Sequence, residues 1–141
     1  MVIKTNSLEE TIKLGQKIVP KLKGGTILEL QGNLGSGKTT FVKGLALGLG
    51  IKKPVRSPTF NLIRTYVVKN NSKIKRLAHI DCYRLKNPQE IIEIGLTDYL
   101  KDPFTLTAIE WPQKIRLILK KYRTKKIIFS CIKENSRKIQ L

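Results

Sequence analysis

The chain has 141 residues, enough for one domain with a buried core, and its 40% hydrophobic and 27% charged content is typical of soluble globular proteins. No apolar run approaches the roughly 20 residues that cross a membrane, and the first residues lack the layout of a secretory signal, so we expect a single cytoplasmic domain over residues 1–141. The net charge of +18 fits attraction to a polyanion such as RNA, but 21 lysines against 7 arginines and only 6% aromatic residues fit a compositional bias equally well.

The first predicted elements are a helix, a strand and a second helix. Apolar residues recur at helical spacing between positions 8 and 19, and Ser7 with Glu10 forms a capping-box pattern in front of them. Residues 26–31 predict a short buried strand, and residues 38–49 predict a helix that ends at glycines.

Two pairs of β-rich segments follow along the chain. Segments 60–68 and 73–81 are joined by a short polar turn, which predicts an antiparallel hairpin, and segments 125–133 and 136–141 predict a second strand pair. Between the pairs we expect short helical turns after Pro88, a buried strand over 103–110 and a helix that begins near Pro112. Strands that alternate with helices predict an α/β fold, and the hairpins predict that its sheet is mixed.

A glycine-rich loop connects the first predicted strand to the second predicted helix. It fits the pattern G-x-x-x-x-G-K-[ST] at every fixed position from Gly32 to Thr39. Glycines let successive backbone N–H groups turn towards a phosphate, and the following helix adds its positive end. Lys38 supplies a mobile charge for the β- and γ-phosphates, and the Thr39 hydroxyl can bind Mg²⁺. The residues predicted to bind nucleotide here, Leu34 by its backbone alone, are Gly32, Leu34, Gly35, Ser36, Gly37, Lys38, Thr39 and Thr40.

Two acidic residues end the most apolar predicted strands. Asp81 ends the run RLAHID, and Glu110 ends the run FTLTAIE. A phosphate-binding loop needs an acid at the end of a neighbouring strand to hold Mg²⁺ or its waters, so at least one of the two is expected to serve the metal. The competing interpretation for each is a strand-end cap or an ion pair, and the pattern alone does not choose between Asp81 and Glu110.

Four further residues are candidates with an ordinary structural alternative. Arg84 could stabilise charge on the γ-phosphate, but capping a helix or pairing with a carboxylate is the simpler role. His79 is the only histidine, and core packing competes with contact to the site. The hydroxyls of Ser57 and Thr59 could sense a γ-phosphate or serve a turn.

Four motifs occur in the order and at the spacing of one protein family: GNLGSGKTTF, SPTFNLI, HIDCYRL and IEWP. On these motifs the chain, from about residue 7 to its end, resembles the TsaE (YjeE) family, the bacterial ATPase of tRNA threonylcarbamoyladenosine synthesis. The resemblance implies ATP and Mg²⁺ as cofactors, slow hydrolysis, and action with TsaB and TsaD on position 37 of tRNA, which is reached through the complex or directly. It also implies a P-loop NTPase-like three-layer domain whose mixed sheet includes antiparallel strands.

The same resemblance assigns roles to residues that match the family's motifs. It places Mg²⁺ at Thr39 and Glu110, and it makes Asp81 the acid that positions or activates water beside Lys38. It further implies a first switch at Ser57 and Thr59, a second that includes His79 and Arg84, packing of Trp111 near the site, and nucleotide contacts from Leu8 and Arg137. Asn33 and Ser36 stand where the family often has Asp and Ala, and neither change removes a fixed group of the loop.

Two other function classes compete with this interpretation. A small P-loop kinase would carry an acceptor-binding insertion with several arginines, whereas this chain has seven arginines in all and a hairpin in that region. An RNA-binding module with a purely structural loop would bind tRNA without ATP. Cys82 and Cys131 lie far apart without a CxxC pattern, so we expect two reduced, small core residues with no disulfide or metal role.

Overall fold

The computed structural model describes residues 1–58 and 60–141 and has an α/β architecture. Its strands and helices occur in the order β1 (Val2–Thr5), α1 (Leu8–Ile18), β2 (Ile27–Gln31), α2 (Lys38–Gly48), β3 (Ile63–Val67), β4 (Arg76–Asp81), α3 (Pro88–Glu93), α4 (Leu96–Lys101), β5 (Thr105–Glu110), α5 (Arg116–Leu119), β6 (Lys125–Lys133) and β7 (Ser136–Gln140). Short 3₁₀ turns at Val19–Lys21 and Pro112–Ile115 extend α1 and precede α5. The predicted helix after Pro112 therefore begins as a 3₁₀ turn, and Trp111 in front of it has a left-handed backbone.

All seven strands form one sheet in the order β1-β7-β6-β2-β5-β4-β3. The four central strands are parallel, whereas β3 pairs antiparallel with β4, and β7 pairs antiparallel with both β6 and β1. Both predicted hairpins and the mixed sheet are thus confirmed. The strand β1 was not predicted, because a segment of only four residues carries little signal and is ordered by pairing with the far end of the chain.

Helices cover both faces of the sheet and create two hydrophobic cores. Leu28 and Leu30 of β2 pack with residues of α1 and α2, whereas Ile27 of the same strand packs with residues of α3, α4 and α5. The division follows from strand geometry, since successive side chains point to opposite faces. The predicted three-layer architecture is confirmed. No helix in the described part of the chain is both long enough and apolar enough to span a membrane.

The α1 and α2 helices touch through two glycines, which fixes the position of the helix that follows the loop. A Cβ atom on Gly44 would lie 2.2 Å from the carbonyl oxygen of Ile12 and 2.9 Å from the Cα atom of Gly15. The contacts are to backbone, so the helices could admit a methyl group only by moving apart. The close approach therefore depends on glycine at this position.

We expect Gly44→Ala to lower the free energy of unfolding by about 2 kcal/mol, because the overpacking penalty exceeds the gain in helix propensity. Urea denaturation followed by circular dichroism measures this change. Leu47→Ala is the matched control, since Leu47 lies on the same helix with a half-exposed side chain. Equal stability of the Gly44 variant and the wild type would contradict the proposed role of the helix contact.

Candidate functional site

The loop between β2 and α2 presents the first turn of α2 at the carboxyl end of the parallel strands. Gly35 and Gly37 have φ angles of 74° and 103°, a left-handed conformation that glycine adopts without steric cost. Gly37 is the N-cap of α2, so no side chain caps the helix, and its first N–H groups have no partner within the helix. Free N–H groups together with the helix dipole favour an anion at this point.

Lys38 is the first residue of α2, and its ammonium group is buried inside the loop. The side chain is 4% exposed, and Nζ donates hydrogen bonds to the carbonyl oxygens of Gly32 and of Asn33, the latter at 3.0 Å. Burial lowers the pKa of Lys38, and the nearby carboxylates of Glu110 and Asp81 oppose that shift. A buried ammonium group with neutral carbonyl partners is suited to an anionic ligand.

Glu110 connects the first turn of α2 to the neighbouring strands. Its two carboxylate oxygens accept hydrogen bonds from the Thr39 hydroxyl, each at 3.0 Å, and one of them lies 2.6 Å from Nε2 of His79. Glu110 and His79 are 3% and 0% exposed. His79 thus lies behind Glu110 and orients its carboxylate, while the other ring nitrogen, Nδ1, has no partner among the described residues.

Asp81 lies beside Glu110 because β4 and β5 are parallel and the two acids are in register. One oxygen of Asp81 accepts a hydrogen bond from the Ser57 hydroxyl at 2.8 Å, and the other accepts one from the backbone N–H of Tyr83 at 3.0 Å. Both acids therefore lie at the carboxyl ends of two neighbouring strands, on the face of the sheet that α2 covers. Of the two predicted switch hydroxyls, Ser57 contacts Asp81, whereas Thr59 lies outside the described residues.

These groups line one cavity of about 480 Å³. Most of the residues that the sequence predicted for the site meet there: Leu8, Leu34, Gly35, Ser36, Gly37, Lys38, Thr39, Thr40, Ser57, Asp81, Arg84, Glu110 and Arg137. Gly32 and His79 support the cavity from behind, through Lys38 and Glu110 respectively. The structure brings the predicted residues together, and their binding of nucleotide stays a prediction.

An aromatic cluster forms the wall opposite the loop. Trp111 has φ 57° and ψ 51°, a strained conformation for a bulky residue, and its ring centroid lies 4.5 Å from Nζ of Lys38. The ring of Tyr83 packs against Trp111 with centroids 4.9 Å apart, and the guanidinium group of Arg84 stacks on Phe60. Tyr83 was missed from the sequence, although its position two residues after Asp81 was an available signal.

Arg137 reaches the loop from the opposite edge of the sheet. Its side chain is 8% exposed, and one terminal nitrogen donates to the carbonyl oxygens of Lys133, Glu134 and Ser136 at 3.0–3.1 Å. Within the described residues its Nε has no hydrogen-bond partner. The side chain runs beside Gly37, where a Cβ atom would lie 3.7 Å from its Cγ. The cationic group is thus held rigidly next to the loop.

The donor set of the site fits Mg²⁺, a hard cation that prefers oxygen ligands and usually keeps several waters. The Thr39 hydroxyl and the Glu110 carboxylate supply oxygen atoms at one point beside the loop. Across residues 1–58 and 60–141, no group of three His, Cys, Asp or Glu side chains could hold a metal by itself. The site therefore suits a cation that arrives with phosphate groups and water.

The comparisons with known proteins agree with this geometry. The family model described as threonylcarbamoyl adenosine biosynthesis protein TsaE matches residues 5–139. The chain belongs to the TsaE family. It is 36% identical to the tRNA threonylcarbamoyladenosine biosynthesis protein TsaE of Borreliella burgdorferi, over 94% of this chain and 93% of that protein. It is 37% identical to the TsaE protein of Bacillus subtilis, over 89% of this chain and 75% of that protein.

The structural comparison supports the same TsaE assignment. The crystal structure of YdiB from Bacillus subtilis matches the fold with a TM-score of 0.74 at 30% identity, and the match covers 99% of this chain and 82% of that one. The resemblance inferred from the four TsaE motifs is therefore confirmed as family membership.

The two cysteines are free thiols and lie outside the cavity. Cys82 is fully buried, and burial together with the neighbouring Asp81 raises its pKa to about 12. Cys131 is exposed and contacts Arg137 with its sulfur atom 3.4 Å from the guanidinium group. The expectation of a core residue is thus confirmed for Cys82 and wrong for Cys131, which lies at the surface on β6.

Proposed function

We propose that this TsaE-family chain binds ATP with Mg²⁺ and hydrolyses it slowly as a component of tRNA threonylcarbamoyladenosine synthesis. The observation that carries the proposal is the cavity in which Lys38, Thr39, Asp81 and Glu110 converge beside the uncapped start of α2. The buried Lys38 ammonium group and the free N–H groups can bind phosphates, whereas the two acids can bind a metal ion and a water molecule. Membership of the TsaE family is the reason to place this activity in tRNA threonylcarbamoyladenosine synthesis.

Each polar group has a distinct role in the proposed reaction. Lys38 holds the β- and γ-phosphates, and its charge compensates the negative charge that develops on the transferred phosphoryl group. Thr39 and Glu110 would hold Mg²⁺, which supplies Lewis-acid neutralisation of the phosphate oxygens. Asp81 accepts a hydrogen bond from the attacking water and orients it, because Ser57 and the Tyr83 N–H fix its carboxylate. Arg137 and the backbone at Leu8 complete the nucleotide contacts.

Membership of the TsaE family favours a role within the tRNA threonylcarbamoyladenosine synthesis system. TsaB and TsaD are the proposed partners, and hydrolysis by this protein would support repeated turnover of their complex on tRNA in the cytoplasm. The aromatic wall supports coupling of this kind, because Trp111 touches Lys38 on one side and Tyr83 on the other. A partner that moved these rings would alter the surroundings of the phosphate-binding lysine.

The proposal is tested by measuring ATP hydrolysis by the chain alone, and then with TsaB, TsaD, tRNA and threonylcarbamoyl-adenylate, the donor of the transferred group, added. We expect slow hydrolysis alone and multiple rounds of tRNA modification only when the chain, the partners and ATP are all present. The control is the TsaB–TsaD pair with tRNA but without the chain, which should stop after limited modification. Rapid phosphate transfer to a small acceptor without partners would overturn the proposal in favour of a kinase.

A further inference from the structure

The β3 edge of the sheet carries positive charge that the proposed ATP site does not use. Two neighbouring cavities of about 500 and 350 Å³ lie along this edge, and Lys53 and Tyr66 line both. We define the β3-edge surface by the five basic residues in their walls: Lys52, Lys53, Arg56, Arg64 and Lys69. None of the five lines the cavity that contains Lys38, so the two sites are separate.

The sequence around this surface has no acidic residue to neutralise it. Positions 30–80 contain ten Lys and Arg residues and no Asp or Glu, whereas the other 90 positions contain 18 basic residues and all ten acids. Of these basic residues, Arg76 forms an ion pair at 2.7 Å with Asp102, which lies outside the segment. The basic residues are thus about equally frequent in both parts, and the β3 side keeps its positive charge because the acids lie elsewhere in the sequence.

Core packing fixes the backbone that carries these charges. Ile51 and Val55 flank Lys52 and Lys53, and they are buried in the same hydrophobic core as Tyr66 of β3. The lysines between these anchors are exposed and project to solvent. The Tyr66 hydroxyl is buried without a hydrogen-bond partner among the described residues. The surface thus combines a backbone fixed by core packing with exposed cationic side chains.

We propose that the β3-edge surface binds the phosphodiester backbone of RNA. Clustered lysines suit phosphates, which accept contacts without regard to base sequence, whereas the buried centres of protein–protein interfaces are depleted in lysine. Tyr66, the aromatic side chain in the walls of both β3-edge cavities, is only 7% exposed, so its ring offers little surface for stacking on a base. The ligand is therefore recognised by its charge and shape, and its identity as tRNA rests on the proposed function.

The test measures binding of a tRNA transcript to the full chain without nucleotide, over a series of salt concentrations. The triple variant Lys52→Gln, Lys53→Gln, Lys69→Gln removes three charges from the surface. Lys120→Gln, Lys121→Gln, Lys125→Gln removes three exposed charges elsewhere and is the matched control. We expect about tenfold weaker binding for the first variant and a salt dependence shallower by about three in log–log slope, with much smaller changes for the control.

The tRNA titration, a polyglutamate titration and an ATPase assay together distinguish failure of the RNA-binding proposal from failure of the proposed function. Equal weakening by both variants would overturn the proposal, because the attraction would then come from net charge alone. Binding of polyglutamate but not tRNA, with the same sensitivity to the first variant, would overturn it in favour of an acidic protein partner. ATP hydrolysis by both triple variants should match that of the wild type. If the wild-type chain bound tRNA but did not hydrolyse ATP, that result would contradict only the proposed function.

Discussion

Replacing Lys38 with alanine is expected to abolish ATP turnover, with a fall in the rate of at least about 100-fold. The ammonium group is buried within the loop, and no other lysine lines the cavity in the described part of the chain. The two arginines that line the cavity are held elsewhere, Arg137 by backbone carbonyl oxygens and Arg84 by the ring of Phe60. Neither is therefore placed to substitute for the Lys38 ammonium group. Modification of tRNA that depends on TsaB and TsaD should fall with it. Phosphate release and incorporation of the threonylcarbamoyl group measure the two effects.

The control for this experiment is Lys43→Ala, because Lys43 lies on the same helix with an exposed side chain. It should retain both activities, and circular dichroism should show that both variants remain folded. The Lys38 side chain also donates to Gly32 and Asn33, so the unfolding free energy of both proteins needs to be compared. Full turnover by a folded, nucleotide-free preparation of Lys38→Ala would refute the site.

The second prediction with a large effect distinguishes the role of Glu110 from that of Asp81. Glu110→Ala is expected to raise the Mg²⁺ concentration for half-maximal hydrolysis by about 10- to 100-fold or more, with a smaller change in nucleotide affinity. The reason is that Glu110 contacts the Thr39 hydroxyl, the other proposed metal ligand. Asp81→Ala should instead lower the rate at saturating Mg²⁺, because Asp81 is held by Ser57 and by the Tyr83 N–H rather than by Thr39.

Titrating Mg²⁺ at fixed ATP, and ATP at fixed Mg²⁺, distinguishes these outcomes. Glu110→Gln serves as a folded comparison, since it retains an acceptor for Thr39 and His79 while it removes the charge. Glu93→Ala, an exposed acid at the end of α3, should behave as the wild type. A shift in Mg²⁺ dependence for Asp81→Ala and none for Glu110→Ala would show that the two assignments are reversed.

The sequence predicted those parts of the structure that consecutive residues form by themselves. The segment from Gly32 to Thr39 needs only its own glycines and the following helix to shape a loop, so its pattern predicts its geometry. The same holds for the N-cap at Ser7, whose hydroxyl accepts from the backbone of Glu10 at 3.1 Å. Both hairpins were predicted because strand and turn are neighbours in the chain.

Contacts between distant segments could not be read in this way. Glu110 meets Thr39 across 71 positions because β2 pairs with β5, and it meets His79 because β5 also pairs with β4. The strand β1 was missed because its partner, β7, lies at the other end of the chain. The tight approach of α1 and α2 through Gly44 likewise becomes visible only when the helices are packed.

The sequence by itself determined the α/β class, the glycine-rich loop, the two strand-end acids and the family, because each depends on local pattern or on motifs in a set order. The tertiary structure decided which acid contacts Thr39, and it placed His79 behind Glu110 and Arg137 beside Gly37. It also separated the β3-edge surface from the cavity that contains Lys38. Strand order and layer packing produce these neighbours, and the free energy of packing depends on the whole fold rather than on any one segment.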